Sequence, residues 1–314
     1  MLVIVAPGQG AQSPGMLAPW LELDGVADRL HGWSEAAGID LVHYGTKADA
    51  EEIKDTAVAQ PLLVATGLMT ARALFPDEEQ ARKLVGAVAG HSVGEITAAA
   101  LAGVFDADDA LTFVRERGRA MAEAAAATAT GMIAVLGGDP EEVAAKLAEH
   151  GLVAANNNGG GQIVAAGSLD ALEALRADPP AKAKLIALKV AGAFHTDYMA
   201  PGVTRLAELA PTLSVSDPVT RYLSNKDGEV VAGGAEVLSR LVAQVANPVR
   251  WDLCMETIGQ LGATCVIELA PAGTLTGLIK RNVKGVATLA LKSPADLDKA
   301  RELIAEHATE ELSA

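Results

Sequence analysis

The residues LVGAVAGHSVGEITAAAL, from Leu84 to Leu101, carry the strongest local signal in this chain. Leu84 to Ala89 is an apolar run typical of a buried strand, and the residues from Glu95 onwards are typical of a helix. Between them, Gly90-His91-Ser92-Val93-Gly94 fits the pattern Gly-x-Ser-x-Gly. A serine on a tight turn between a strand and a helix is the setting of a nucleophile elbow, and small flanking glycines permit that turn. The sequence therefore predicts that Ser92 is a nucleophile above a helix N-terminus, whose N–H groups stabilise an oxyanion.

Short apolar runs alternate with longer amphipathic stretches along the chain, as strands alternate with helices. The candidate strands are Leu2 to Ala6, Leu84 to Ala89, Ile133 to Leu136, Gln162 to Ala166, Leu185 to Val190, Arg221 to Ser224, Cys265 to Glu268 and Ala287 to Leu291. Ala107 to Ala127 is predicted to be one long helix with acidic residues near its start. This order predicts an α/β fold with a largely parallel sheet.

The segment from Thr130 to Val190 has its own order of strand, helix, strand, helix, strand. Asn156 to Gly161 is predicted to be a loop because of its composition. We expect a small α+β subdomain, residues 128–198, inserted into a larger α/β core formed by residues 1–127 and 199–314. The charged stretch from Pro294 to Ala314 is a candidate helix whose end frays.

Composition narrows the class of protein. The chain has 314 residues, and its 25 Lys plus Arg against 40 Asp plus Glu give a net charge of −15 and a pI near 4.8. Nucleic acid is not an expected partner, because phosphate binding needs a basic surface. Half of the residues are hydrophobic but only 3% are aromatic, so Ala, Val, Leu and Ile must build the core.

We expect a cytoplasmic enzyme or binding protein with no membrane segment. The uncharged stretch from Thr56 to Ala71 is interrupted by a glutamine and a proline and is shorter than the roughly 20 apolar residues of a spanning helix. Met1 to Ala6 has no basic residue ahead of its apolar run, so it is interpreted as a first strand and not as a signal peptide. Cys254 and Cys265 lack metal-ligand spacing and are predicted to be buried free thiols.

Ser92 needs a base, because a neutral hydroxyl is a poor nucleophile. Four of the six histidines lie in stretches typical of polar helices or helix ends: His31, His43, His150 and His307. His91 is interpreted as a structural hydrogen-bonding partner, because adjacent residues on a tight turn point apart. His195 follows an apolar run at a glycine-loosened strand end and is the base candidate, with a core or surface histidine as the open alternative.

Two further motifs contain candidate binding residues. Pro7 to Gln12 follows the first strand, and the glycines around Gln9 let backbone amides approach a ligand, although an ordinary loop has the same composition. The motif lacks the patterns of nucleotide-binding loops. On the long helix, Arg115 and Arg119 are predicted to be surface residues, whereas Arg117, if turned inward, would bind a carboxylate with two parallel hydrogen bonds.

Taken in order, these motifs resemble those of malonyl-CoA:acyl carrier protein transacylases, the stand-alone acyltransferases of bacterial fatty-acid and type II polyketide synthesis. The matching segments are Pro7 to Gln12, Gln60-Pro61, Gly90 to Glu95, Arg117-Gly118, Asn156 to Gly167, Gly192 to His195 and Asn247 to Trp251. The resemblance covers nearly the whole chain. It implies the family fold, a large α/β-hydrolase-like core with a parallel sheet and a small inserted ferredoxin-like α+β subdomain.

The resemblance also implies a ping-pong transfer of a malonyl group. Ser92, assisted by His195, would attack the malonyl thioester of malonyl-CoA, and the malonyl-serine ester would pass its acyl group to the phosphopantetheine thiol of an acyl carrier protein. In this family a backbone carbonyl orients the base histidine, and the resemblance places that carbonyl at Arg250. No cofactor and no metal are implied, since phosphopantetheine is carried by the partner.

The remaining site residues are likewise implied by the resemblance. The backbone N–H groups of Gln9 and Val93 would form the oxyanion hole, and Arg117 would bind the malonyl carboxylate. Gln60 would line the same pocket. Phe194 before the base matches the malonyl-selective form of the motif.

The implied partners are malonyl-CoA and an acyl carrier protein, with no membrane partner and a monomeric enzyme. Because carrier proteins are acidic like this chain, docking would need a local basic rim. The candidates for this rim are Lys182, Lys184, Lys189, Lys280, Arg281 and Lys284. Fatty-acid and polyketide assembly both stay open as the pathway.

Two other functions compete with this interpretation. An α/β-hydrolase uses the same elbow, but its histidine usually lies near the C-terminus, whereas more than a third of this chain follows His195. A catalytically silent acyl- or CoA-binding protein on the same fold is the second alternative. The presence of Ser92, His195 and Arg117 argues against it.

Overall fold

The computed structural model describes residues 1–308. Its strands are β1 Leu2–Ala6, β2 Val85–Gly90, β3 Thr130–Gly137, β4 Val153–Asn157, β5 Gln162–Ser168, β6 Ala183–Ala187, β7 Arg221–Leu223, β8 Val230–Val231, β9 Val249–Arg250, β10 Cys265–Glu268 and β11 Ala287–Ala290. Its α-helices are α1 Val26–Ala37, α2 Leu41–Thr46, α3 Thr56–Leu74, α4 Glu78–Leu84, α5 Gly94–Leu101, α6 Ala107–Ala127, α7 Pro140–Glu149, α8 Leu169–Ala177, α9 Ala200–Leu209, α10 Gly234–Gln244, α11 Trp251–Gln260, α12 Thr274–Asn282 and α13 Leu297–His307.

A six-stranded sheet in the order β11-β10-β1-β2-β7-β8 forms the centre of the larger part of the fold. Its strands pair in parallel except β7 with β8, so the predicted α/β fold with a largely parallel sheet is confirmed. β1 and β2 run side by side with Ala6 opposite Gly90. Because parallel strands end at the same edge, the loop after β1 and the turn after β2 lie next to each other there.

A second, five-stranded sheet has the order β6-β3-β5-β4-β9. Four of its strands alternate with α7 and α8 in the order βαββαβ, which is the ferredoxin-like pattern. The fifth strand, β9, comes from outside residues 128–198 and pairs in parallel with β4. The predicted domain bounds stay a prediction, and residues 309–314 of the larger unit and of the predicted C-terminal helix lie outside the described part.

The predicted elements agree with the structure where local patterns are strong. α6 has the predicted bounds because Asp106 caps its first turn, accepting a hydrogen bond from the Asp109 N–H at 2.8 Å. The prediction that Asn156 to Gly161 is entirely loop is wrong: Asn156 and Asn157 belong to β4. Asparagine is rare in strands, but pairing with β5 and β9 overrides that preference. The strand predicted from Leu185 to Val190 is also displaced, since β6 covers Ala183–Ala187.

Helix α3 is the one element of residues 1–308 that is long and apolar enough to cross a membrane. In the structure 78% of its apolar window is buried inside the protein, against α5, α6 and α1, as in the core helix of a globular fold. Cys254 and Cys265 are buried and free, as predicted.

The turn that carries Ser92 depends on two glycines. A Cβ on Gly90 would lie 2.0 Å from the carbonyl carbon of Gly94, and a Cβ on Gly94 would lie 2.2 Å from the carbonyl oxygen of Ala6. Ser92 itself has a φ of 52°, in the left-handed region that L-residues rarely adopt. Strand, turn and helix therefore pack backbone against backbone, which positions the serine at the carboxyl edge of the sheet.

We expect Gly90→Ala to destabilise the protein by about 3 kcal/mol or more, because the new methyl group meets backbone that cannot move without displacing α5. The matched control is Gly32→Ala in the middle of α1, where nothing lies within 4 Å of the added Cβ. There alanine should stabilise the helix by up to about 1 kcal/mol. Thermal unfolding followed by circular dichroism measures both, and a midpoint for Gly90→Ala at or above that of the parent would contradict the packing argument.

Candidate active site

Ser92 is held by its backbone while its side chain stays accessible to a base. The Ser92 N–H donates a 2.8 Å hydrogen bond to Asn225 Oδ1, and Asn225 Nδ2 donates to the Gly90 carbonyl at 2.7 Å. The Asn225 side chain thus connects the end of β2 to the turn that carries Ser92. The Ser92 hydroxyl lies 2.8 Å from Nε2 of His195.

His195 has the geometry of a general base for Ser92. Its Nδ1 lies 2.9 Å from the backbone carbonyl of Gln244. A carbonyl accepts only, so Nδ1 carries the proton and Nε2 accepts the Ser92 hydroxyl proton. Burial, and then the charge of Arg117, lower the pKa of His195 to about 3, so the imidazole is neutral at physiological pH and free to take a proton.

The carbonyl that orients the base belongs to Gln244 and not to Arg250, so this prediction is wrong. Gln244 is the last residue of α10, and the last carbonyls of a helix have no intrahelical partner. The Arg250 side chain instead pairs with Asp252, Nη2 to Oδ2 at 2.7 Å. The resemblance gave the right kind of group at the wrong position along the chain.

Arg117 is buried, with 1% of its surface exposed, and it points to the serine. Its Nη1 donates to Gln60 Oε1 and its Nη2 to Gln244 Oε1, both at 2.7 Å, while Nη2 also lies 3.3 Å from the Ser92 hydroxyl oxygen. Burial lowers the pKa of Arg117 to about 10, which still leaves it charged at neutral pH. Within residues 1–308 no carboxylate is bonded to it.

Arg117 faces inward because of its place on α6. It shares a face with Ala110, Val114 and Met121, which are all buried at helical spacing. Arg119 is exposed, as predicted, and pairs with Glu116. Arg115 is half-buried and not a fully exposed surface residue, because it bonds to both Glu116 and the Ala36 carbonyl.

Two backbone N–H groups beside Ser92 are without a hydrogen-bond acceptor among residues 1–308. They belong to Gln9, in the loop after β1, and to Val93, before the first turn of α5. The adjacent ends of β1 and β2 bring these two positions together. N–H groups arranged in this way are the donors that an oxyanion needs.

Ser92 and His195 line a cleft of about 250 Å³ between the two sheets, and Arg117 lies behind the lining, bonded to Gln60. Its lining includes Gln9, Gln60, His91, Ser92, Met121, Met132, Val164, Phe194, His195 and Leu275. His91 donates from Nε2 to Asn158 Oδ1 at 2.9 Å, which confirms it as a structural partner. A larger cavity of about 440 Å³ lies at the other end of β2 and contains none of the predicted site residues.

The family model described as acyl transferase domain matches residues 3–304. The chain belongs to the acyl transferase domain family. The malonyl CoA-acyl carrier protein transacylase of Mycobacterium tuberculosis is 52% identical over 308 residues, covering 96% of this acyltransferase and 100% of that protein. The recognition of the family from sequence is thereby confirmed.

Solved structures agree with the fold of this acyltransferase. The crystal structure of MCAT from Mycobacterium tuberculosis matches with a TM-score of 0.92 and 51% identity, covering 96% of this chain and 99% of that one. A type II PKS acyl-carrier protein in complex with its malonyl-transacylase provides a second match, with a TM-score of 0.88, 31% identity and coverage of 96% and 99%.

Sequence reasoning missed three polar residues that this acyltransferase buries around the serine: Glu95, Asn225 and Gln244. Glu95 stood in the quoted motif, but only as the start of a helix. Asn225 and Gln244 follow no motif at recognisable spacing. The only signal in the sequence for Asn225 and Gln244 is that each is a polar residue next to an apolar segment that is predicted to be buried.

The charge of Arg117 should be visible in the titration of His195. In Arg117→Gln we expect the pKa of His195 to rise toward its ordinary value, because one of the three causes that lower it is gone while burial and the interaction with His91 remain. NMR of the ring nitrogens as a function of pH measures this. Arg119→Gln, at an exposed position of the same helix, is the control and should leave the titration unchanged. An unaltered His195 pKa in Arg117→Gln would contradict the electrostatic coupling.

Proposed function

We propose that this acyltransferase moves a malonyl group from malonyl-CoA to the phosphopantetheine thiol of an acyl carrier protein through an ester on Ser92. The observation that carries the proposal is a buried cation without a bonded carboxylate, Arg117, 3.3 Å from the hydroxyl that His195 can deprotonate. The names of the relatives support the same substrates.

Acylation follows from the geometry. His195 Nε2 takes the Ser92 proton as the hydroxyl oxygen attacks the thioester carbonyl, whose oxygen moves toward the N–H groups of Gln9 and Val93. The tetrahedral intermediate collapses by breaking the carbon–sulfur bond. The CoA sulfur leaves with the proton from the imidazolium, and Ser92 is left as the malonyl ester.

Transfer is the same sequence in reverse with a new thiol. The carrier thiol gives its proton to His195 as its sulfur attacks the ester carbonyl. The tetrahedral intermediate then collapses by breaking the bond between the acyl carbon and the Ser92 oxygen, and that oxygen takes the proton back from the imidazolium. No cofactor or metal takes part in this scheme. We place the reaction in the cytoplasm and propose a monomeric enzyme.

Arg117 supplies the selectivity for a carboxylated acyl group. Its two Nη atoms bind neutral amide oxygens, and a malonyl carboxylate would add the directly bonded anion that this guanidinium lacks. An acetyl group would leave the guanidinium without a bonded carboxylate. Gln60 fixes the arginine, and Phe194 limits the room beside the acyl group in the same cleft.

The basic rim is proposed as the docking surface for the carrier. All six of its side chains are exposed. Lys189 lies between two residues that line the cleft, Leu188 and Val190, and Lys280 and Arg281 lie in the last turn of α12, whose first turn lines the cleft as well. The nearness of these three positive charges to the cleft supports the proposal that the carrier docks on this side of Ser92.

Intact-protein mass spectrometry after mixing with malonyl-CoA tests the reaction. The parent should gain one malonyl group and Ser92→Ala should gain none, because the ester oxygen is absent. Addition of a phosphopantetheine-bearing carrier should then discharge the parent adduct onto the carrier. No adduct would indicate a silent binder, and an adduct lost to water as fast as to the carrier would indicate a hydrolase.

The same transfer step, measured at low salt, tests the docking surface. Lys189→Glu and Arg281→Glu should slow discharge to the carrier without slowing acylation, whereas Lys299→Glu on α13 serves as a charge-matched control. Equal discharge rates in all three variants would overturn the assignment of the rim.

Replacing the cation should remove the selectivity. We expect Arg117→Gln to lower the ratio of kcat/KM for malonyl-CoA over acetyl-CoA by roughly a hundredfold, since a charge-assisted bidentate contact is lost for one substrate only. Arg115→Gln should keep the parent ratio. A ratio unchanged in Arg117→Gln would sink the assignment of the malonyl-binding residue.

A further inference from the structure

Beneath the serine and the arginine lies a carboxylate that the scheme above does not use. Glu95, in the first turn of α5, is 2% exposed. Its Oε1 accepts hydrogen bonds from the Tyr222 hydroxyl at 2.7 Å and from the Asn225 N–H at 2.8 Å. Its Oε2 accepts from the side-chain amide of Gln244. Burying a carboxylate is costly, so a carboxylate that is held by three donors indicates a role in the site.

The Gln244 side chain joins this carboxylate to the arginine. Its Nε2 donates to Glu95 and, at 3.1 Å, to the Ser92 carbonyl, while its Oε1 accepts from Arg117 at 2.7 Å. The orientation of the amide is therefore fixed. Rotated by half a turn, its oxygen would face a carboxylate and its NH2 group would face a guanidinium.

One amide between opposite charges has a consequence for substrate binding. Glu95 and Arg117 attract each other without a direct ion pair, which would occupy the guanidinium that a substrate carboxylate must reach. The anion thus compensates the buried cation at a distance. The Arg117 Nη2 atom still lies 3.3 Å from the Ser92 hydroxyl, the oxygen to which the acyl group would be attached.

We propose that Glu95 is a positioning residue for substrate recognition: through the Gln244 amide it holds the Arg117 guanidinium in place and compensates its charge without occupying it. This inference rests on the proposed function of Arg117 and deepens it. The backbone of Gln244 orients His195, so one residue connects the carboxylate to both the arginine and the base.

The groups around Glu95 determine how it responds to pH. Burial raises the pKa of Glu95 to about 7, and the Tyr222 hydroxyl, the Asn225 N–H, the Gln244 amide and the charge of Arg117 act in the opposite direction. The Cys254 thiol also faces it, and burial raises the pKa of that thiol well above its ordinary value. The carboxyl is ionised above about pH 7 and protonated below. As the pH falls, the Gln244 amide therefore loses its charged acceptor and holds the Arg117 guanidinium less firmly.

Glu95→Gln is the first variant, because it keeps the shape and removes the charge, while its own NH2 group would face the Gln244 amide. We expect the malonyl-to-acetyl ratio of kcat/KM to fall on the order of tenfold, mainly through a higher KM for the malonyl substrate. The substrates are malonyl- and acetyl-pantetheine, which lack titrating phosphates. If Glu95 were needed only for folding, its replacement would lower kcat/KM for malonyl- and acetyl-pantetheine by the same factor.

The pH profile supplies a second readout. In the parent, the malonyl-to-acetyl ratio should fall as the pH drops through about 7, and in Glu95→Gln it should be flat. Tyr222→Phe removes a donor that favours the ionised carboxylate, so it should shift the fall of the ratio to higher pH. This second variant tests the inference even if Glu95→Gln fails to fold.

Glu268→Gln is the matched control. Glu268 is also fully buried and accepts three N–H groups, from Gly273, Leu275 and Thr276, but it has no link to Arg117. The Glu268→Gln variant should have a lower thermal stability than the parent and the same malonyl-to-acetyl ratio of kcat/KM. A parent that forms no malonyl ester would overturn the proposed function and this inference with it. A parent that forms the ester, with ratio and pH profile unaltered in Glu95→Gln and in Tyr222→Phe, would overturn this inference alone.

Discussion

A guanidinium buried without a bonded carboxylate is the interaction on which the rest of the site depends. Burying a charge is costly unless it is hydrogen-bonded and compensated. Here two neutral amides, from Gln60 and Gln244, supply the hydrogen bonds, and Glu95 supplies the opposite charge one amide away. After burial, which is the larger cause, the charge of Arg117 also lowers the pKa of His195, and together they keep the base neutral. Substrate recognition and proton transfer are therefore parts of one electrostatic arrangement.

The fold provides this arrangement through the parallel pairing of β1 and β2. The two strands end side by side, which places the N–H of Gln9 next to the turn of Ser92. Glycines at 90 and 94 let strand and helix meet at backbone distance. The second sheet then covers the serine from the other side and closes the cleft.

Much of this could be predicted from the sequence because its signals are local. The Gly-x-Ser-x-Gly turn, the bounds of α6 and the free thiols each follow from a short pattern. The roles of Gln244 and Glu95 could not be predicted, because each depends on contacts between α5, α6 and α10 that no spacing encodes. β4 was missed for a related reason, since Asn156 and Asn157 form a strand only when β5 and β9 pair with them.

The fifth strand of the smaller sheet has a consequence for exchanging parts between enzymes of this family. β9 follows α10 by a few residues, so the segment that completes the smaller sheet also carries the carbonyl that orients the base. A chimaera in which only residues 128–198 are replaced would bring a foreign β4 against a native β9. The natural unit of exchange is thus discontinuous and includes the stretch from Gln244 to Arg250. A graft without this stretch would combine a foreign His195 with the native Gln244 carbonyl that has to orient it.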